Sequence, residues 1–470
     1  MRGPAGHLSA CSPNPPEAQT RLTAAKSVRL PGVAALMLSM RDYRQVTIQG
    51  RNLVARLFGT RMWLGRAPVQ ITVGLAGLIA LAACSTAATP PSPETFLPTS
   101  APSSAATVAL TPAPIPTAVA LSGLRFSTRG WKTNFSRAQV PLSEIESGGP
   151  PRDGIPPIDQ PKFVSPAEVG DWLKDYEPVI AFELNGDARA YPLQILIWHE
   201  IVDDEVGSVP VVITFCPLCN TAIAFDRRVD GQALRFGTTG NLRRSDLVMW
   251  SDDPGETWWQ QITGEALTGD LVGRQLTMLP AEIVSFADFK AAFPQGRILS
   301  RDTSHPRGYG SNPYVGYDNI NSSPFLYAGS TDGRLPPMER VATVEVNGDS
   351  AAYPFSQLTR VHVINDMAGG TPLVVFHQGG TNSALDGPVI AASRDVGAAA
   401  VFDRSVAGNV LTFSLLGDRF VDDQTNSIWD IFGRATAGSF TGQRLRPLVN
   451  GNHFWFAWAV FKPETRIWVP

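Results

Sequence analysis

Four residue classes are scarce in this 470-residue chain, and each scarcity removes a class of function. There are only four cysteines, too few for a disulfide-stapled scaffold. No second Cys-x-x-Cys exists to complete a four-cysteine zinc site. Histidines number six, and no His-Glu-x-x-His pair occurs; a P-loop, a dinucleotide fingerprint and a serine nucleophile elbow are also missing. Charged residues are 17% of the chain and are unevenly placed. Residues 1–83 hold ten Lys/Arg against Glu17 and Asp42, a net of +8, which leaves −11 for the rest of a chain whose total is −3. A body that acidic offers no basic stripe to neutralise phosphates, so nucleic acid is not an expected partner. No apolar run reaches the ~20 residues of a membrane-spanning helix.

What the chain has instead is an unusual front. Val69–Ala83 reads VQITVGLAGLIALAA, follows Arg61 and Arg66, and ends in Leu81-Ala82-Ala83-Cys84. This resembles the lipobox of bacterial lipoproteins, which implies acylation of Cys84 as the mature N-terminus; an uncleaved anchor helix is the alternative. Signal peptides begin ~15–30 residues before the cleavage site, so Met62 is the expected start, 62–83 the signal peptide and 1–61 an over-long reading of the gene. After Cys84, residues 85–120 carry eight prolines and one charge, Glu94. So little apolar surface cannot offset the ordering entropy, and 84–123 is expected to be a lipidated tether. The implied location is the extracytoplasmic face of the cell membrane, reached through a lipid anchor.

The body suggests a diverged duplication. Val179–Asp187 with Ala190-Tyr191-Pro192 parallels Val344–Asp349 with Ala352-Tyr353-Pro354. In the same order, Asp204 meets Asp366, Pro210–Phe215 meets Pro372–Phe376, Phe225-Asp226-Arg227 meets Phe402-Asp403-Arg404, and Trp259 meets Trp429. Two homologous β-rich lobes are expected, 124–336 (its repeat at about 165–300) and 337–470. Asn-Gly-Asp between apolar runs predicts tight hairpins, because Asn and Gly tolerate positive φ. Val211–Phe215, Thr221–Phe225 and Ala233–Phe236 read as strands, and Ser285 caps a helix over Phe286–Phe293 that Pro294 stops. The fold class is α+β, predominantly antiparallel β.

With Cys11 in the leader and Cys84 lipidated, Cys216 and Cys219 are the only thiols left, in Phe215-Cys216-Pro217-Leu218-Cys219-Asn220. Three readings stay open: a structural disulfide, which closes too short a loop to add much stability; reversible thiol–disulfide chemistry; and a zinc or copper site. Thr221–Asp226 reads as a strand, so the motif lies at a strand–turn–strand corner rather than a helix N-terminus. A reactive Cys216 would then need a cationic neighbour such as His199 or His377 to lower its pKa. His305 and His362 are the other candidate ligands. His199-Glu200 is a candidate acid–base pair. Asp226-Arg227 and Asp403-Arg404 read as structural ion pairs; Trp258 and Trp259 could line a pocket, but Trp429 at the matching place favours core packing.

Asp153-Gly154-Ile155-Pro156, Ala190-Tyr191-Pro192, Trp198–Asp204, Thr214–Cys219, Trp259-Gln260-Gln261, Thr263-Gly264-Glu265, Asn312-Pro313-Tyr314 and Gly316-Tyr317 together carry a family resemblance. Over roughly 150–460 the body resembles the bacterial domain-of-unknown-function family 3179. Some members carry selenocysteine within the segment matching Cys216–Cys219, and selenium there implies redox chemistry. The resulting expectation is a membrane-anchored lipoprotein acting as a thiol–disulfide oxidoreductase through Cys216 and Cys219, with His199 assisting, no cofactor, and a protein or small-molecule redox partner. The alternative is a lipoprotein that binds a metal through Cys216, Cys219, His199 and His377, or a sugar or peptide, without catalysis.

Overall fold

A computed structural model describes residues 124–470. The expectations for the leader, signal peptide, Cys84 and tether lie outside these residues. Among the described residues no helix is long and apolar enough to cross a membrane.

The described residues are mostly antiparallel β with four short α-helices: α1 (Leu193–His199), α2 (Phe286–Ala292), α3 (Phe355–Val361) and α4 (Trp455–Ala459). They form one compact unit whose hydrophobic cores mix both halves; residues 124–336 and 337–470, the first and second lobes in sequence, each contribute three main sheets. In the first, Pro178–Leu184 and Asp187–Pro192 form a hairpin flanked by Glu282–Ser285 and by Arg297–Leu299, the latter parallel to Asp187–Pro192. The second sheet runs Thr277–Leu279, Thr221–Asp226, Val209–Cys216, Ile201–Val206, and the third is built on Phe236–Arg243, Asp246–Ser251 and Trp258–Gln260.

The second lobe has similar sheet orders, its first and third sheets each lacking one edge strand. Asn450–Phe454, Arg340–Val346, Asp349–Pro354 and Arg466–Ile467 lie side by side, again with one parallel pair at the end. Val363–Ala368, Thr371–Gln378, Ala398–Asp403 and Arg446–Pro447 form the next sheet, and Phe413–Leu416 begins the last.

Local chemistry explains the joints. Asn185 and Gly186 take φ +52° and +82°, and Asn347 and Gly348 take +50° and +83°. These are the paired positive φ values that a two-residue hairpin requires. Tyr191 Oη donates to Asp204 at 2.7 Å, and Tyr353 Oη to Asp366 at 2.9 Å, tying the first sheet of each lobe to the second. Ser285 accepts from Asp288 N at 3.0 Å and caps α2, which ends at Ala292.

Two expectations need correction. Ala233–Phe236 is two strand ends, Gln232–Ala233 and the start of Phe236–Arg243, because Arg235 N leaves the ladder for the Asp252 carboxylate. The carboxylates of Asp226 and Asp403 pair with Arg228 and Arg446 instead of the arginines beside them. Arg227 and Arg404 donate to the carbonyls of Leu234 and Leu411, the same role in both lobes. Cys219 lies in the turn, and the next strand begins at Thr221 as the sequence suggests. Trp258, Trp259 and Trp429 are buried in the core.

Between Leu299 and Arg340 the chain has no helix or strand. A stretch that long without regular structure is uncommon inside a compact body and usually serves a site. This strap lies over the cysteine turn.

Candidate functional site

Cys216 is the last residue of a strand whose inner positions are all buried, so its backbone is held by the ladder opposite Thr221. The turn closes through Cys219 N to Cys216 O and Asn220 N to Pro217 O, both 3.2 Å. Asn220 takes φ +50°, a left-handed conformation that its short polar side chain tolerates. The second lobe buttresses the outside of this turn. Phe454 N donates to Cys219 O at 2.9 Å, Asn220 Nδ2 to Asn452 O at 3.2 Å, and Thr221 Oγ1 meets His453 Nδ1 at 2.9 Å.

The inner side faces a hairpin tip from the third sheet. Arg244 and Ser245 sit at φ +56° and +69° without being glycine, each costing on the order of 1–3 kcal/mol unless its surroundings compensate. The tip brings Ser245 O to 3.6 Å from Cys219 Sγ and 4.0 Å from Cys216 Sγ. It also delivers Asp246. One carboxylate oxygen accepts Gln260 Nε2 at 2.6 Å and Ile262 N at 3.0 Å, while Oδ1 has no nitrogen or hydroxyl donor and the carboxylate otherwise meets only the two thiols. The two sulfurs and an Asp246 oxygen lie within 4.8 Å of one another, the one such group of metal-ligating side chains among the described residues.

The cluster is buried and its titratable groups are all acids. Burial pushes Asp246 up to about 6, and burial together with the Asp246 charge pushes Glu200 up to about 8. Burial raises both thiols, and the charge of Asp246 adds to it. The cation that a nucleophilic Cys216 would need is not among the charges acting on it; carboxylates take that place, a correction to the sequence reading. Glu200 is held at the left-handed C-cap of α1, φ +61°, with its carbonyl accepting Phe215 N at 2.8 Å.

The strap closes the site. Tyr317 Oη donates to Leu218 O at 3.0 Å and accepts Phe325 N at 3.2 Å, and Ser245 Oγ donates to Phe325 O. Tyr314 is raised by burial, by Glu200 and by Cys216, which puts it beside the same cluster. Cys216 is 2% exposed and Cys219 0%.

The expected histidines have other partners. His199 donates from Nδ1 to Pro156 O at 2.7 Å, and its Nε2 faces Tyr309 Oη at 2.7 Å; burial lowers it to about 4. His305 packs against His199 with ring centroids 5.9 Å apart, and His362 against His377 at 5.8 Å. Among the described residues none of the four hydrogen-bonds to a sulfur. Sequence reasoning missed Asp246 and His453. The available signals were a lone acid opening the apolar run Leu247–Trp250, and a lone histidine before Phe454-Trp455-Phe456. A cavity of about 420 Å³ between the lobes is lined by Ala222, Ile223, His453 and Trp458, and by neither cysteine.

The spacing, the turn and the tyrosines of the strap now stand together over the matched region. A family model described as a protein of unknown function, DUF3179, matches residues 152–465, well over half of the sequence. The chain belongs to the DUF3179 family. No curated protein and no solved structure matches it. The DUF3179 region starts beside Asp153, whose carboxylate accepts Thr238 N and Trp250 Nε1, both at 3.0 Å, and ends at Thr465, which accepts Trp458 Nε1 at 2.8 Å.

Proposed function

We propose that this DUF3179 protein is a cell-envelope lipoprotein whose working centre is a buried site for a thiophilic cation, zinc or cuprous copper, held by Cys216, Cys219 and Asp246. The observation that carries the reading is convergence without compensation. Two thiols and a carboxylate with one oxygen that has no nitrogen or hydroxyl donor meet within 4.8 Å, and no basic side chain pairs with that carboxylate. A bound cation supplies the missing charge and deprotonates the thiols on binding. Thiolates favour zinc and cuprous copper, and three protein donors leave a coordination position open. The Ser245 carbonyl lies 3.6 Å from Cys219 Sγ, and the Glu200 charge acts on Cys216, so both are candidates to complete the donor set.

Reversible thiol–disulfide chemistry is the second reading, supported by the three-residue spacing and by the neighbouring sulfurs. The two thiols would pass two electrons and two protons to a partner's disulfide, which leaves as two thiols, with Asp246 relaying one of those protons. Burial weighs against it, since exchange requires a thiolate to reach a sulfur in line. Metal analysis of the purified full chain separates the two. One zinc or copper per chain, lost in Cys216→Ser and Cys219→Ser, supports the site. Metal-free protein that cycles stoichiometrically between dithiol and disulfide moves the assignment to redox.

Two further parts belong to the proposal. The chain is anchored through an acylated Cys84 and the 85–123 tether; a Cys84→Ala variant that stays with membranes overturns this. The two lobes descend from one duplicated unit, supported by the recurrence of three similar sheet orders and by the paired Tyr–Asp bonds.

A further inference from the structure

Where the first lobe turns through four residues between its Cys216 strand and the next, the second lobe inserts residues 379–397 between Thr371–Gln378 and Ala398–Asp403. Asp395 organises this loop by accepting Gly380 N, Thr381 N and Gly397 N at 2.7, 3.1 and 2.8 Å. Between the loop, α3 and the strap lies a cleft of about 350 Å³, within the size range of small-ligand sites.

Residues in the cleft wall carry buried polar atoms with unmet hydrogen-bonding capacity, closed to water until the 379–397 loop shifts. His377 is 2% exposed, and its ring nitrogens, beside the Val396 backbone, make no hydrogen bond of good geometry. Arg340 Nε and Asp318 Oδ1 are likewise buried and unpartnered. Neighbouring atoms of the pair are committed. Arg340 Nη2 donates to Asp318 at 2.8 Å and to Ser383 Oγ at 2.9 Å, and Arg394 reaches Asp318 at 2.9 Å. Native interiors rarely leave so many polar atoms unsatisfied together, and each asks for an explanation. Gly397 passes the His377 ring at φ +76°, where a Cβ would come within 2.5 Å of Nε2, so the loop is fitted closely to that ring.

We infer that this cleft is a second binding site, separate from the thiol centre, for a small uncharged polyhydroxylated molecule of the monosaccharide class, held by His377, Arg340 and Asp318. The charges choose the class. Arg340 and Arg394 already pair with Asp318, and Asp395 and Glu339 add negative charge to the wall, so an anion meets no free cation. His377 is neutral, since burial holds it down at about 4. It therefore offers one donor and one acceptor, Arg340 Nε a donor and Asp318 Oδ1 an acceptor. Hydroxyls, which donate and accept at once, match that mixture. Phe355, edge-on to His377 with centroids 5.4 Å apart, gives an apolar wall for a sugar's C–H face.

Saturation-transfer NMR on the full chain with glucose, N-acetylglucosamine and citrate tests this. The expected result is transfer to at least one sugar and not to citrate. That binding should weaken tenfold or more in His377→Phe, which keeps the ring's bulk, and in Thr359→Trp, which plugs the exposed rim from α3. It should be unchanged in Cys216→Ser and in metal-stripped protein, so loss of the thiol centre and loss of this site read out separately. Absence of transfer to either sugar, a preference for citrate, or equal binding by wild type, His377→Phe and Thr359→Trp would each overturn the assignment. Circular dichroism of both variants confirms that they fold.

Discussion

The two lobes have similar sheet orders and differ at the loop ends, and that contrast locates the chemistry. At the end of the strand Val209–Cys216 the first lobe makes a tight turn carrying both thiols; at the end of Thr371–Gln378 the second lobe builds a 19-residue loop around His377. Glu200 and His362 both sit just after a seven-residue helix, with φ +61° and +59°. The same strained corner thus presents a carboxylate in one lobe and an imidazole in the other. The hairpin tip that delivers Asp246 is buried under the strap, while its counterpart at Gly417-Asp418 follows the exposed Leu415 and Leu416. A frame of sheets tolerates different turns at its ends, and function lies in those turns.

The largest expected effect strikes the first lobe alone. Cys216→Ser or Cys219→Ser should weaken zinc binding by two orders of magnitude or more, and Asp246→Asn by about ten- to hundredfold. Competition with a chromophoric chelator measures all three. Equal affinity in all variants would place the cation elsewhere and remove the functional contrast between lobes.

The shared Tyr–Asp joint is burdened unequally. Asp204 pairs with Arg189 at 2.5 Å, with both side chains under 10% exposed, whereas Asp366 pairs with Arg466, whose side chain is 40% exposed. Removing one partner of a buried pair strands the other charge and costs about 3–5 kcal/mol, while an exposed pair contributes about 0–1 kcal/mol. Asp204→Ala should therefore destabilise by several times as much as Asp366→Ala in denaturant unfolding. Equal losses would mean that the Tyr hydroxyl contact, common to both, dominates.

A pH test separates the lobes further. Glu282 lies opposite Ala181, and the corresponding position, opposite Thr343, is Gly451. Burial raises Glu282 to about 7 from its ordinary 4.5. The folded state therefore favours the proton. Stability from this group is fully present below about pH 4.5 and is lost as pH rises through about 7. Glu282→Gln should flatten that loss between about pH 4.5 and 7, worth at most roughly 3 kcal/mol by linkage. An unchanged pH–stability curve would assign the loss to other buried acids, of which Asp203, raised to about 8, is the first candidate.

Much of this frame is legible in the sequence because local chemistry dictates it. Asn-Gly pairs specify hairpins, the apolar run Val211–Phe215 specifies a buried strand, and Ser285 with Pro294 brackets a helix. The corner position of Cys216 and Cys219 follows from the strand on either side. What escapes is set by tertiary contact. Helices α1, α3 and α4 are only five to seven residues long, and α1 and α4 are buried on nearly every side, so they show no amphipathic period. Asp246 and His453 reach the turn from another sheet and from the other lobe, and no spacing rule links them to Cys219. The absent cation was illegible for the same reason: His199 is adjacent to Glu200 in sequence, yet its ring bonds to Pro156 and Tyr309.

The smallest expected effect concerns a helix start. α2 begins with Ser285, whose Oγ accepts Asp288 N at 3.0 Å, whereas α4, at the matching place in the second lobe, follows Phe454 with no side-chain cap. A capping hydroxyl satisfies one of the orphan N–H groups of the first turn, and its removal typically costs about 1 kcal/mol. Ser285→Ala should lower stability by that amount and leave zinc binding unchanged, since α2 packs on the Pro178–Leu184 sheet and away from the thiols. The Ser285 hydroxyl also meets the Asp288 carboxylate at 2.6 Å, and Asp288 in turn accepts Gln378 Nε2 at 2.7 Å across the lobe boundary. If Ser285→Ala costs clearly more than a cap, the excess measures how far that Ser285–Asp288–Gln378 chain couples the two lobes. A double-mutant cycle with Gln378→Ala would then give a coupling different from zero.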